Sequence, residues 1–405
     1  MKNLLFLILI IPIVGCIGPL KELESQIQDV YFDGVLDNAP EPLPDDFVNQ
    51  VQINQPWLKE FDLLPGYAEI VFKEDSIFFI TEDGVFTKIS QDSGEVLFSK
   101  KINTKIKTGL FGGLDNYFFF TDQRNFLTKI DQNGNLIWST KLTNSLNLKP
   151  FFYKNQIILK YINNKIESFD SNSGLSLWSY VRQNPPLSIN VQSPILIVDD
   201  ILYSGFPGGK VVIIEPESGS FLTELTLSRP KGVTEIDRTN DVAGDLGIID
   251  NMLFASSYNG EIISFDRASG SKIWSRKLSS YHGISTDNVN LLVPHENDSI
   301  YNFDLKSGKT LWKNNDLSYR KISKPLILND FMLVIDYLGV LHIMNLSEGE
   351  RVGVHKFGKD LQELIDFGET MSVQNSLNTT KMYKFEDFAY ILLNHQKIIK
   401  IQINE

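Results

Sequence analysis

Along most of the chain, short apolar runs rich in Ile, Val, Leu, Phe and Tyr alternate with clusters of Asp, Asn, Gly and Ser. Runs this short, bounded by turn formers and without the three-and-four spacing of a helix face, predict β-strands. The runs also repeat a phrase. An apolar strand ends in an acidic or small polar residue, a turn closes on Gly, and an aromatic follows four residues later: Gly94 with Phe98, Gly134 with Trp138, Gly174 with Trp178, Gly270 with Trp274 and Gly308 with Trp312. Gly219 and Gly349 fill the same place without the aromatic, giving seven turns separated by 40, 40, 45, 51, 38 and 41 residues. A period near 40 built from strands predicts the blades of a β-propeller, not a helical solenoid.

Ahead of each turn strand lies another apolar run, and eight are counted, at 77–81, 117–121, 157–161, 201–204, 252–255, 291–293, 332–335 and 389–393. The expected fold is therefore all-β, an eight-bladed β-propeller of four-stranded blades. Seven Gly turns leave the last blade, ending with 397–403, without an outer strand. Trp57 lies 41 residues before Phe98, in phase with the repeat, so that all five Trp share one structural position. The N-terminal strand around Trp57 is expected to complete the last blade and close the ring, which confines exposed sheet edges to the blade rims. The repeated Trp is expected to wedge between neighbouring blades as core, with no cofactor role.

The first residues carry a different signal. Lys2 precedes an apolar run of eleven residues, Leu4 to Val14, ending in Ile13-Val14-Gly15-Cys16. Such a run is too short for a bilayer span, which takes roughly 20 residues, and residues 1–15 are expected to be an export signal. The approach to Cys16 resembles a bacterial lipobox. That resemblance implies cleavage before Cys16 and transfer of diacylglycerol to its thiol; a plain secretory signal with a chance cysteine is the alternative. Cys16 is the only cysteine of 405 residues, so disulfides and thiolate metal sites are excluded from a lipidated chain. Ile17 stands where an inner-membrane retention signal often has Asp, which implies the outer membrane, facing the periplasm. Residues 16–50, acidic and bearing Pro40, Pro42 and Pro44, are expected to form a lipidated tether, with a short helix open around 20–30, and 51–405 the propeller.

Charge removes one class of partner. With 38 basic and 50 acidic residues the net charge is −12, which repels a phosphate backbone and argues against nucleic acid. His282, His295, His342, His355 and His395 have no metal-ligand spacing, so no metal and no cofactor is expected. Gly205, Gly208 and Gly209 lie between two strands with no helix following, and read as a hairpin, not a phosphate loop.

Function is sought where the repeat is broken, because insertions fall in loops on one face of the scaffold. The longest connections follow Gly174, Gly219 and Gly349. The first two belong to adjacent blades and are of one type, so they are expected on one face as a continuous rim. One offers Leu187 and Ile189 after Pro185-Pro186; the other holds Thr234-Glu235-Ile236-Asp237-Arg238 and Asp241. An apolar pair beside clustered charges suits a protein-docking patch, with burial for affinity and charge for register. The competing reading is that Glu235, Asp237 and Arg238 pair with one another and only cap the loop. The third connection, with a helical turn open at 361–367 and a polar stretch at 372–380, suits either a further client or no partner at all.

The lipobox, the tether, the strand-Asp-turn-Gly-Trp phrase and Thr234-Glu235-Ile236-Asp237-Arg238 followed by Asp241-Val242 together resemble the BamB family. These are propeller lipoproteins of the outer-membrane β-barrel assembly machinery (the BAM complex). The resemblance implies a non-catalytic scaffold that binds a periplasmic POTRA domain of BamA and assists unfolded outer-membrane proteins. By position it assigns partner binding to Leu187, Ile189, Asn190, Glu235, Asp237, Arg238 and Asp241. Asn190 stands where the family often has Arg, and Ala243 where a second acidic residue is usual. The rival enzyme class is the quinoprotein dehydrogenases, which share the Gly-Trp phrase and hold pyrroloquinoline quinone (PQQ) with calcium; this chain has neither a second cysteine nor an assignable calcium cluster. A propeller binding another envelope client is the third reading.

Overall fold

Each of the eight apolar runs becomes the second strand of a four-stranded antiparallel sheet. The structure is a computed structural model and describes residues 40 and 47–404, apart from 114, 190, 230–232, 236–237 and 358–379. Residues Leu43–Glu405 form one compact unit; of the other, Met1–Pro42, only Pro40 is described. The expected export signal, Cys16 and nearly all of the tether therefore lie outside the described residues, as do 361–367 and all of 372–380 but Thr380. No α-helix is present among the described residues.

Blades 1 to 7 take residues 71–101, 106–141, 151–180, 195–226, 247–277, 285–314 and 326–356, each as four consecutive strands, here a to d from the axis outward. Blade 8 takes a, b and c from 381–404 and its outer strand from Gln52–Glu60, which pairs antiparallel with Lys397–Asn404. Strand b is buried along its length in blades 1, 3 and 7, which is why it reads as an unbroken apolar run rather than an alternation.

The core consists of eight apolar clusters, each spanning two neighbouring blades. Phe331 and Leu333 of blade 7 pack with Ile391 and Ile401 of blade 8. Trp57 and Tyr390 of blade 8 pack with Ile77 and Phe79 of blade 1. The remaining clusters fill the other six seams in order. The ring is closed, and the N-terminal strand closes it.

The phrase read from the sequence has a physical cause. Asp170 accepts hydrogen bonds from the N–H groups of Asn172 and Ser173 and from the Ser173 hydroxyl, which folds the c–d turn so that Gly174 takes a φ of +73°. The turn glycine then seats the tryptophan of the preceding blade. A Cβ at Gly174 would lie 2.7 Å from the Trp138 ring, and one at Gly349 2.4 Å from Trp312. The indole N–H groups of Trp57, Trp138, Trp178, Trp274 and Trp312 donate to the carbonyls of Gln91, Ser171, Pro216, Leu305 and Leu346, each three residues before the next blade's turn glycine. One Trp thus fills a seam and satisfies a buried carbonyl together.

The expected hairpin also forms. Phe206 pairs with Lys210 across Gly208 and Gly209, both at positive φ, as a tight two-strand turn requires.

Candidate functional site

Strand d of blade 3 (Ser176–Tyr180) and strand a of blade 4 (Ile195–Val198) are joined by the first long connection. Strand d of blade 4 (Phe221–Thr226) and strand a of blade 5 (Gly247–Ile249) are joined by the second. Both leave the propeller at the same end as the b–c hairpin of blade 4, and the three segments meet at one carboxylate. Asp241 accepts the Ile189 N–H at 2.8 Å on one oxygen and the Gly208 N–H at 3.2 Å on the other. Its side chain is buried; burial raises its pKa, and the two N–H donors act against that rise.

Further bonds fix the same junction. The N–H of Gly244 donates to Gln192 O at 3.2 Å and that of Val242 to Phe206 O at 3.2 Å. The N–H of Leu227 donates to Gly209 O at 2.8 Å, and the Asn240 amide to Ser228 O at 3.0 Å. The two loops therefore form one surface, not two independent flaps.

Between them lies an open cleft of about 290 Å³ lined by Pro185, Leu187, Glu235, Arg238 and residues 239–241. Leu187, Glu235 and Arg238 are exposed, and Ile189 is half-buried. The N–H of Arg238 donates to Thr234 O at 3.2 Å and the Thr239 hydroxyl to Glu235 O at 3.2 Å, a turn that sets Glu235 and Arg238 on the cleft. Asn190 and Asp237 lie outside the described residues, and Ala243 is buried. At the mouth of the first loop, Arg182 and Lys210 both pair with Glu224, at 3.0 and 2.9 Å.

Lys160 is a residue that the sequence reading passed over. It is the last residue of strand b in blade 3, fully buried, and donates to Ser193 O at 2.9 Å, Ser204 Oγ at 3.0 Å and Gly205 O at 2.5 Å. Its ammonium also lies 4.5 Å from the centre of the Phe206 ring. Burial lowers its pKa to about 7. Lys160 thereby ties the end of the first loop to the strand that leads into the hairpin at Asp241. A charged residue closing the apolar run Gln-Ile-Ile-Leu-Lys was the visible signal. Among the described residues, no cluster of three or more His, Cys, Asp or Glu is arranged to hold a metal ion.

The family model described as outer membrane protein assembly factor BamB matches residues 81–314, a stretch that contains both rim loops and the carboxylate between them. The chain belongs to the BamB family. The relatives named as this factor include that of Nitrosomonas eutropha, 30% identical over 69% of this chain and 68% of its own length. That of Bordetella pertussis is 26% identical over 70% of this chain and 73% of its own length. The crystal structure of BamB from Moraxella catarrhalis superposes with a TM-score of 0.73 at 20% identity, covering 87% of this chain and all of that one. Quinohemoprotein alcohol dehydrogenase from Comamonas testosteroni superposes with a TM-score of 0.64 at 10% identity, over 95% of this chain and 84% of its own, a likeness of fold alone. Family membership makes the chain an assembly factor and not an enzyme.

Proposed function

We propose that this chain is a scaffold lipoprotein of the outer-membrane β-barrel assembly machinery that docks a periplasmic POTRA domain of BamA on the rim between blades 3, 4 and 5. The observation that carries this reading is the single buried carboxylate of Asp241, which accepts from both Ile189 and Gly208 and so presents the two loops as one face. Leu187 supplies the apolar anchor, and Glu235 and Arg238 supply charges of both signs that fix orientation. In this reading Asn190 and Asp237 contribute contacts as well, and Asp241 acts from beneath the surface as a positioning residue. Residues 1–15 are removed, Cys16 carries the lipid, 16–50 space the body from the outer membrane, and 51–405 face the periplasm, where the protein assists unfolded barrel precursors.

Affinity capture from detergent-solubilised membranes tests the docking site. Leu187→Asp combined with Arg238→Glu alters two exposed residues and leaves the core untouched; BamA recovery is expected to fall at least roughly tenfold, as for loss of an interface anchor. Undiminished recovery refutes the assigned rim, and absence of BamA from the wild-type capture refutes the partner. For the anchor, Cys16→Ser is expected to move the protein from the membrane to the soluble fraction, and unchanged fractionation overturns lipidation at Cys16.

A further inference from the structure

The outer strand of every blade from 1 to 7 carries a β-bulge at one equivalent point, and the extra residue is apolar each time: Leu97, Ile137, Leu177, Leu222, Ile273, Leu311 and Val352. The first six are 44–58% exposed, whereas Val352 is 7% exposed. The difference has a visible cause. Residues 47–51 of the same chain lie along the outer edge of blade 7 before entering blade 8. The Gln50 N–H donates to Val352 O at 2.8 Å, and the Asn49 side chain both accepts from the Val354 N–H at 2.8 Å and donates to Val354 O at 3.2 Å. Val51 packs into the blade 7–8 cluster, and Phe47 lies 5.2 Å from the Arg351 guanidinium.

Blade 7 is therefore an occupied example of a site that recurs six times. At the equivalent points of blades 1 to 4, among the described residues, no backbone hydrogen bond from outside the blade's own ladder reaches the carbonyls of Leu97, Ile137, Leu177 and Leu222, and the strands are the last of their sheets. A second exposed apolar residue directly precedes the first in blades 1, 2 and 4, Val96, Leu136 and Phe221, and Leu175 stands two residues ahead of it in blade 3. Blades 5 and 6 are guarded instead. Lys272 directly precedes Ile273, and Lys309 and Lys313 flank Leu311, the charges that natural edges use against strand addition.

We propose that the outer edges of blades 1 to 4 receive an extended polypeptide strand with alternating apolar side chains, bound as residues 47–51 are bound on blade 7 and presented by an unfolded outer-membrane β-barrel segment. Main-chain bonds to the edge accept any sequence, and the apolar residue at the bulge selects for a strand with an apolar side chain at every second position. The net charge of −12 disfavours a second copy of this chain as the occupant. The inference rests on the assembly role proposed above, because that role supplies the unfolded client.

The test uses the full mature chain and a peptide of about ten residues alternating apolar and polar side chains, the length of a membrane-spanning strand. A photo-crosslinking amino acid replaces Ser139 or Ser179, two residues beyond Ile137 and Leu177 on the edge strands, or Ser275, two residues beyond Ile273 on guarded blade 5. Crosslinking is expected at the first two positions and not at the third. It should fall roughly tenfold with Ile137→Lys plus Leu177→Lys, and likewise with a peptide N-methylated at alternate amides. Crosslinks that map to the rim loops, or equal capture of the N-methylated peptide, overturn the proposal. So does self-association of the wild type that the edge variant abolishes, since the occupant is then a second copy. BamA capture by the edge variant separates the two readings: retained BamA with no peptide binding by wild type refutes this inference alone, and peptide binding at the edges by a chain that captures no BamA refutes the docking reading alone.

Discussion

The indole N–H of Trp57 donates to the carbonyl oxygen of Gln91 at 3.1 Å, fastening the strand that completes blade 8 to the c–d turn of blade 1. The Trp57 ring lies 6.0 Å from Tyr390 and within the cluster that also holds Ile77 and Phe79. Five seams carry this same contact, but only here does the tryptophan reach its place through a strand far from its blade in sequence. The bond thus makes closure a property of both chain ends together.

Trp57→Ala should therefore open the ring at its seam. Removing a buried Trp costs about 3–5 kcal/mol, whereas Trp57→Phe keeps the apolar packing and loses the N–H bond, a cost of about 1 kcal/mol. Thermal unfolding is expected to order the three proteins as wild type, Phe, Ala. Equal midpoints for Phe and Ala would show that the hydrogen bond, not the packed ring, holds the seam.

Gly349 tests the other side of the contact. It adopts a φ of +73°, and a Cβ there would meet the Trp312 ring at 2.4 Å. Gly349→Ala combines a left-handed backbone penalty of about 1–2 kcal/mol with displacement of the indole from Leu346 O. Gly66→Ala is the control, since nothing lies within 4 Å of its added Cβ and its φ is not positive. Urea unfolding should show a clear loss for the first and little for the second; parity between them counts against the seat.

The blades were legible in the sequence because one side-chain pattern does one backbone task in each repeat. Asp170 holds a turn whose partners are two and three residues away, so spacing alone exposes it. Closure was legible for a similar reason, as Trp57 keeps the phase of the repeat. The site was legible only in outline. Loop length marked where the repeat breaks, but the role of Asp241 depends on Ile189, 52 residues earlier, and Gly208, 33 residues earlier. Lys160 finds its acceptors 33, 44 and 45 residues along the chain. No local pattern encodes such meetings; they follow from how the blades stack.

Lys160 gives stability a pH dependence of known sign. Burial lowers its pKa to about 7 in the folded protein, against roughly 10.4 when unfolded. Between those values the unfolded chain binds more protons, so stability rises with pH from about 7 toward 10; below about 7 both states are charged and the full cost of burial remains. Lys160→Met should flatten this rise, read as the urea midpoint at pH 7 and pH 9 in the two proteins. Identical slopes would exclude Lys160 as its source.

Asp241→Ala should separate the rim from the ring. The substitution leaves the Ile189 and Gly208 N–H groups without their carboxylate, and an unpaired buried donor costs about 1–3 kcal/mol. That cost falls on the loops, because Ile189 lies in the connection between blades 3 and 4 and Gly208 in the b–c hairpin of blade 4. Relief of a buried carboxylate whose pKa is raised by burial offsets part of it. Amide hydrogen exchange at Ile189 and Gly208 is expected to accelerate while the thermal midpoint of the propeller changes little, and capture of BamA should fall although Asp241 is itself buried. Asp241→Asn keeps one acceptor oxygen and should retain part of the binding. Faster exchange at both amides with undiminished capture would mean that the two loops need not be held together for docking, and the weight of the site would then shift to the exposed side chains of Leu187, Glu235 and Arg238.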